Sequence, residues 1–272
     1  MLFRSLKRNV SCASCHDPDN GFGDGLRFSV GTTGDKPHRH TPHLYNLAWN
    51  VVYFWDGRAT SLEEQFFGPM KAVTEMNLPM KTLIPRLEKV PFYREQFRGL
   101  FPDSGITPDN VAIAMAAFQR TLIVANTPFD RYAAGETGAI GPEAVRGLEL
   151  FKGKAKCASC HDGPNLTDNS FHNIGIDNGD VGRAEVMEGE TLAGAFKTPG
   201  LRNVTLTAPY MHDGSLPSLE AVVRHYNQGV KRNGKFDPNL PPLNLSEREI
   251  SQLIAFLATL TEIIELRRPE VP

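Results

Sequence analysis

The chain has 272 residues, of which 40% are hydrophobic and 22% are charged, with a formal net charge of -2. This composition is typical of a globular protein long enough for two modest domains, and it excludes a disordered chain. The balanced charge gives no electrostatic basis for binding nucleic acid or an anionic membrane, and no apolar run approaches the ~20 residues of a membrane helix.

The first chemical motif lies close to the N-terminus, and an identical copy lies in the second half of the chain. CASCH occupies residues 12 to 16 and returns at 157 to 161, and the two copies contain all four cysteines. In the pattern CxxCH, two thiols on one helical turn form thioethers to the haem vinyl groups, and the adjacent histidine binds the iron. The sequence therefore predicts two covalent haem c groups, held by Cys12, Cys15 and His16 and by Cys157, Cys160 and His161.

Two other uses of CxxC are less consistent with the chain. A thioredoxin-like redox pair requires a βαβ pattern, and no alternation typical of strands surrounds either copy. A zinc site built from two CxxC pairs would have them ~12 to 20 residues apart. Here more than half of the chain separates the two pairs.

Haem attachment also bears on localisation. In bacteria it takes place outside the cytoplasm, so we expect a periplasmic protein. The segment MLFRSLKRNV has three basic residues but lacks the apolar stretch of ~7 to 15 residues found in a secretory signal. We therefore expect the signal peptide to be encoded upstream of Met1.

The segments between and after the motifs are predicted to be helical. In TPDNVAIAMAAFQRTLIV, Thr107 is the predicted N-cap, and Pro108 begins a helix with apolar residues near helical spacing at Val111, Met115, Phe118 and Leu122. Residues 141–151 form a second predicted helix that leads into the second motif. A capping box of Ser246 and Glu249 predicts the last helix.

These elements predict a mainly α fold with two cytochrome c-like haem domains, residues 1–130 and 131–272. Residues 17–60 and 162–215 are long and irregular. We expect the apolar surface of the haems to hold these loops in place.

The stretch PYMHDGSLPSLEAVVRHYNQG contains four side chains able to bind a metal: Met211, His212, His225 and Tyr226. With Ser218 as N-cap, helical spacing puts Tyr226 on the buried stripe of a helix and turns His225 away from it. Spacing alone favours a core tyrosine over a ligand.

The chain resembles the bacterial di-haem cytochrome c peroxidase and MauG superfamily. The resemblance runs through nearly the whole chain and is carried by SCASCHDPDNGF, FWDGRATSLEEQ, EM, KCASCHDG, FHNIG, FKTPGLRNVTLTAPYMHDG and SLEAVVRHY, in that order. It implies a peroxidatic N-terminal haem and an electron-transfer C-terminal haem, with a tryptophan between them. Its implied substrates are hydrogen peroxide and a redox partner or substrate protein.

Three residues of the first half acquire roles through this resemblance. By composition alone Glu75 is a solvated acid, and Trp55 could be a core aromatic. The resemblance makes Trp55 the electron relay between the haems. It makes Glu75, with Gln65, the catalytic pair that moves a proton between the peroxide oxygens so that the O–O bond breaks.

Two features depart from typical peroxidase members. The loop histidine that closes the first haem in those members is replaced by Thr32. His38, His40 and His43 lie nearby, so the sequence leaves open whether one of them is a shifted ligand. We expect an open first haem. The resemblance also implies one calcium ion between the domains, bound by an asparagine and carbonyl groups, and here His40 replaces the asparagine while Thr207 and Pro209 match the carbonyl donors. Calcium prefers oxygen ligands, so a histidine at this position weakens the case for the ion.

The second haem differs in its expected ligand. Peroxidase members have a methionine fourteen residues after the histidine of PYxHxG, and MauG-like members have tyrosine, which corresponds here to Tyr226. Met211 remains the alternative ligand. An anionic tyrosinate favours higher oxidation states of iron than a methionine sulfur does.

The sequence thus predicts a MauG-like enzyme that oxidises a partner protein or other donor. One alternative is an ordinary cytochrome c peroxidase that takes electrons from a small cytochrome or copper protein. The other is a non-enzymatic di-haem electron carrier or sensor. Glu75, Gln65 and an unblocked first haem count against a carrier, because carriers usually saturate both faces of each iron.

Overall fold

The computed structural model describes residues 4–189, 192–232, 235–236 and 239–265, and helices dominate these residues. The mainly α fold predicted from the sequence is confirmed. The described residues contain eight α-helices: α1 (Leu62–Lys71), α2 (Met80–Glu88), α3 (Pro91–Leu100), α4 (Pro108–Arg120), α5 (Pro128–Ala133), α6 (Pro142–Lys152), α7 (Leu219–Gln228) and α8 (Glu247–Ala258).

Helices α1 to α4 surround an apolar core in the first half of the chain. This core includes Phe66 and Met70 from α1, Leu83 from α2 and Val111 from α4. The predicted start of α4 is confirmed, because the Thr107 hydroxyl accepts a hydrogen bond from the Asn110 amide at 3.1 Å.

Two members of the apolar series predicted for α4, Val111 and Leu122, are buried, but Phe118 is not. Phe118 is half exposed, whereas Ala112 and Ala116 are buried against the neighbouring elements. Helix α1 packs closely on α4. Because small residues allow two helices to approach each other, the alanines form the contact and the larger Phe118 faces outward.

A second core lies in the other half, where α6 and α8 pack against each other and α7 packs on α8. Phe256 of α8 is fully buried and contacts the rings of Phe129 and Phe151. The predicted capping box is present: the Ser246 amide donates to Glu249 at 2.8 Å, and the Glu249 amide donates to Ser246 at 3.3 Å.

Long segments with little regular structure connect the helices, as predicted. Their described strands are two antiparallel pairs of two residues each: β1 (Phe171–His172) with β2 (Phe196–Lys197), and β3 (Lys231–Arg232) with β4 (Lys235–Phe236). Among the described residues, no helix is both long and apolar enough to cross a bilayer.

The contact between α6 and α8 depends on a glycine. A Cβ atom at Gly147 would lie 1.9 Å from the carbonyl oxygen of Gln252 on α8. We expect Gly147→Ala to lower the free energy of unfolding of the holoprotein by about 1 to 3 kcal/mol, measured by denaturant titration, because the helices must move apart.

Gly99→Ala is the matched control for this substitution. Gly99 lies in α3 with nothing near the added methyl group, so alanine there should stabilise the helix by up to about 1 kcal/mol. Equal effects of the two substitutions would contradict the proposed close contact.

Candidate active site

One continuous cavity of about 1540 Å³ joins the two CxxCH motifs within the described part of the chain. The first motif contributes Cys15 and His16 to its wall, and the second contributes Cys157, Cys160 and His161, whereas Cys12 does not border it. The volume exceeds the ~300 to 1,000 Å³ of ordinary ligand sites. The cavity is therefore large enough for more than one bulky group.

Both motifs adopt the same backbone turn. Each begins with a short 3-10 turn, at Cys12–Ser14 and at Cys157–Ser159. The histidine amide then donates to the carbonyl of the first cysteine, at 2.8 Å for His16 and 2.9 Å for His161. This turn brings each histidine back to the side of its own motif that faces the cavity.

The two histidines also share one ring orientation. The Nδ1 atom of His16 lies 3.0 Å from the carbonyl oxygen of Phe22, and that of His161 lies 3.0 Å from the carbonyl oxygen of Leu166. Burial lowers the pKa of both rings, so the neutral form is favoured. Because Nδ1–H donates to a carbonyl, Nε2 remains available to a metal, which is the usual arrangement of a ligating histidine. The residues at both motifs therefore fit a c-type haem.

Trp55, Gln65 and Glu75 all border the cavity. The Trp55 indole N–H donates to the carbonyl of His40 at 2.8 Å, and the Trp55 carbonyl accepts the amide of Lys197 at 2.8 Å. Trp55 is thus held by residues from both halves of the chain. Gln65 projects from α1.

Glu75 follows α1, and a backbone hydrogen bond fixes its position. Its carbonyl accepts the amide of Thr32 at 2.8 Å. Burial raises the pKa of the Glu75 carboxyl, and the charge of Arg58 acts in the opposite direction. A carboxyl group with a raised pKa is suited to accept and return a proton near neutral pH.

The histidine-rich loop uses two of its rings for structural contacts. His43 accepts the Tyr45 amide at Nδ1, so its Nε2–H donates to the Gly200 carbonyl at 3.2 Å. The Nδ1 of His40 lies 3.0 Å from the Leu26 carbonyl oxygen. His38 is exposed and borders the cavity. Of these three histidines, His38 is the one whose ring takes no part in these hydrogen bonds.

The position of Thr32 differs from that of these histidines. Its side chain is buried and bonds to Ser5 and to Asn9, at 2.9 and 2.7 Å. It is not part of the cavity wall. The side chain at this position therefore stabilises the N-terminal segment and has no contact with the cavity.

Tyr226 projects from α7 into the cavity wall. Burial raises the pKa of its phenol, and Cys157 and Cys160 are close enough to act on it, which shows that the ring lies beside the second motif. A coordinated metal cation acts in the opposite direction because it stabilises the phenolate. Met211 also borders the cavity.

The two histidines of the same stretch make different contacts, and His212, unlike His225, borders the cavity. The Nε2 of His225 lies 2.8 Å from the Ile174 carbonyl oxygen, as expected for a residue turned away from the buried stripe. His212 is buried and stacks on Phe196 with ring centroids 3.6 Å apart.

Lys197 is a cavity residue that the sequence interpretation did not single out, although it lies within the quoted FKTPG segment. It is 8% exposed, and its ammonium donates to the Thr198 carbonyl at 3.0 Å. Burial lowers the pKa of Lys197 to about 8. Because buried charges are normally paired, this cation favours an anionic group in the cavity, and haem propionates have the right charge.

The expected calcium site has an unsuitable donor set. Thr207 and Pro209 do border the cavity. Position 40, however, presents an imidazole directed at a carbonyl group, and calcium requires ~6 to 8 oxygen ligands. The residues around His40 do not fit this ion.

Comparisons with known proteins agree with this geometry. The family model described as di-haem cytochrome c peroxidase matches residues 4–138, and the cytochrome c model matches residues 144–261. The methylamine utilization protein MauG of Methylorubrum extorquens is 45% identical, over 98% of this chain and 77% of its own length. The cytochrome c551 peroxidase of Nitrosomonas europaea is 33% identical, over 93% of this chain and 74% of its own length.

A solved structure shows the same fold. It is a MauG-like protein associated with microbial copper homeostasis, with a TM-score of 0.88 and 28% identity, and the match covers 96% of this chain and 87% of that one. The described fold thus belongs to an architecture already seen in a MauG-like protein.

A buried ion-pair network holds the loop around Trp55. Arg39 donates to Asp180 at 2.6 and 2.8 Å and also to Asp56, the neighbour of Trp55. We expect Arg39→Ala to lower the free energy of unfolding by about 3 kcal/mol, because Asp180 loses its arginine partner and Asp56 keeps only the more exposed Arg58. Denaturant titration of the holoprotein measures this loss.

Arg146→Ala is the matched control for Arg39→Ala. Arg146 pairs with Glu149 on the exposed face of α6, where an ion pair contributes little. Its removal should leave the unfolding midpoint unchanged. An Arg39→Ala variant as stable as this control would contradict the role of the network.

Proposed function

The chain belongs to the di-haem cytochrome c peroxidase and MauG family and is a haem oxidoreductase with two c-type haems, and we propose that it acts in the manner of MauG. It reacts with hydrogen peroxide at the first haem and shares the oxidising equivalents with a tyrosine-ligated second haem. The observation that carries the proposal is the single cavity, which has Glu75 and Gln65, Trp55 and Tyr226 on its wall.

The haems are held by side chains of both halves. His16 binds the first iron, and Cys12 and Cys15 form its thioethers. His161 and Tyr226 bind the second iron, with Cys157 and Cys160 as the thioether donors. Lys197 offers its ammonium to a propionate. When bound, the haem irons supply the site at which peroxide accepts electrons.

Glu75 and Gln65 act on the peroxide itself. Hydrogen peroxide takes up two electrons and two protons to give two molecules of water. The half-buried Glu75 carboxylate accepts a proton from one peroxide oxygen and returns it to the other, which leaves as water. Gln65 projects from α1 into the same cavity and orients the peroxide by hydrogen bonding.

Trp55 connects the two ends of the cavity. Its indole and its carbonyl bond to His40 and to Lys197 at 2.8 Å each, so the ring is held rigidly between the halves. Its aromatic system provides a path for electrons. The phenolate of Tyr226 stabilises oxidised iron at the far end, because an anionic oxygen ligand lowers the reduction potential.

We also propose a domain organisation, a reaction partner and a cellular location for this protein. Residues 1–130 form the peroxidatic haem domain, and residues 131–272 form the electron-transfer haem domain. The oxidised species is a partner protein or another donor that meets the second haem. We place the enzyme in the periplasm, where haem is attached.

An ordinary cytochrome c peroxidase is the second candidate function. The observation that favours it is Met211, whose side chain borders the same cavity as Tyr226. A sulfur ligand raises the reduction potential of the iron and suits electron uptake from a small cytochrome or copper protein. Tyr226 then contributes only to packing.

The ferric EPR and optical spectra of the wild type and Tyr226→Phe separate these two functions. We expect the wild type to show one high-spin and one low-spin haem, and the variant to lose the low-spin signal, because phenylalanine provides no ligand. Met211→Leu is the control and should keep both signals. A spectrum that changes in Met211→Leu and not in Tyr226→Phe would establish the peroxidase alternative.

Trp55→Phe tests the relay. Both haems should remain bound, since the thioethers are unaffected, but peroxide-driven oxidation of the donor should slow by orders of magnitude because the electron path is weakened. Stopped-flow spectroscopy measures the rate. Trp49→Phe is the control, as Trp49 is 55% exposed. Equal rates in the wild type and Trp55→Phe would remove the relay role.

A further inference from the structure

The imidazole of His40 lies where three backbone carbonyl groups converge. The carbonyls of Leu26, Arg27 and Thr207 all face the ring and raise its pKa, although burial, the larger effect, lowers it. The Nδ1 atom lies 3.0 Å from the Leu26 oxygen, and the residue is 6% exposed. The ring therefore fills the space between the segment that follows the first CxxCH motif and the segment around residue 207.

The backbone of His40 extends these links to two further segments. Its amide donates to the carbonyl of His212 at 2.7 Å, and its carbonyl accepts the indole N–H of Trp55 at 2.8 Å. One residue thus joins the first haem segment, the cavity tryptophan and residues 207–212. A displacement of His40 would alter the position of Trp55 directly.

A cation and an imidazole satisfy converging carbonyl groups by different means. Calcium draws together carbonyl and carboxylate oxygens at ~2.3 to 2.6 Å. A neutral imidazole instead donates one N–H bond, here toward the Leu26 carbonyl, and its ring occupies the space between the oxygens. The carboxylate of Asp24 is close enough to act on the charge of the ring, but it accepts the Leu26 amide at 3.0 Å. Among the described residues, the group that lies between these carbonyl oxygens is thus the His40 ring.

We propose that the His40 imidazole replaces the calcium ion of the family and performs its cross-linking role. This chain then folds and holds its haems without calcium, and its Trp55 is positioned by a side chain in place of a metal. The inference concerns the junction between the halves and does not depend on whether Tyr226 or Met211 binds the second iron.

The first test is the metal content and calcium response of the wild-type holoprotein. The protein is purified either with a calcium chelator or with added calcium chloride. We expect elemental analysis to show far less than one calcium per chain in both samples. The Tm and the ferric optical spectrum should be equal in both. One calcium per chain, with a lower Tm or altered spectrum after chelation, would overturn the proposal.

The second test restores an oxygen ligand at position 40. His40→Asn removes the ring and places an amide oxygen beside the same carbonyl groups. We therefore expect this variant to bind one calcium and to show a Tm that rises with free calcium. His38→Asn is the matched control, because His38 is exposed, and its Tm should not respond to calcium. If His40→Asn folds but neither binds calcium nor loses stability, the ring is not the substitute. If it does not fold, the wild-type measurement decides the matter.

Discussion

The rest of the structure depends on the cavity between the two CxxCH motifs. The main helix contacts lie within each half of the chain, on either side of this cavity. Each half has its own apolar core, one around Phe66 and Leu83 and the other around Phe256 and Leu253. The irregular segments between these cores form much of the cavity wall. Such segments bury too little apolar surface of their own, so large groups attached inside the cavity stabilise them.

The two ends of this cavity begin from the same chemistry and become different through their surroundings. Both motifs form the same turn, and both histidines direct Nδ1 at a carbonyl group. The first end adds a half-buried acid, Glu75, and the second adds a phenol, Tyr226. Groups around a haem adjust the potential and reactivity of its iron. In the proposed function, this asymmetry lets one haem react with peroxide while the other holds oxidising equivalents.

The junction between the halves relies on buried polar contacts. Arg39 joins Asp56 to Asp180, and the two hydrogen-bonding ends of Trp55 reach His40 and Lys197. Buried polar groups are costly unless they are paired, so such a network favours one relative arrangement of its members. Trp55 is therefore positioned by the same contacts that hold the halves together.

The sequence by itself determined the features that depend on neighbouring residues. The CxxCH turns, the caps at Thr107, Ser218 and Ser246 and the inward direction of Tyr226 all follow from spacing within a few residues. The family resemblance added Trp55, Gln65 and Glu75, and all three border the cavity. Their catalytic roles remain predictions.

Only the tertiary structure decided how the histidine-rich loop and the buried cations are used. His43 bonds to Gly200, 157 residues further along the chain, and Arg39 bonds to Asp180, 141 residues away. Lys197 is an ordinary exposed residue by composition, yet folding buries it in the cavity wall. Periodicity reports which way a side chain faces within its own helix. It carries no information about which distant carbonyl or carboxylate will meet that side chain, because those partners are brought together by packing of the whole chain.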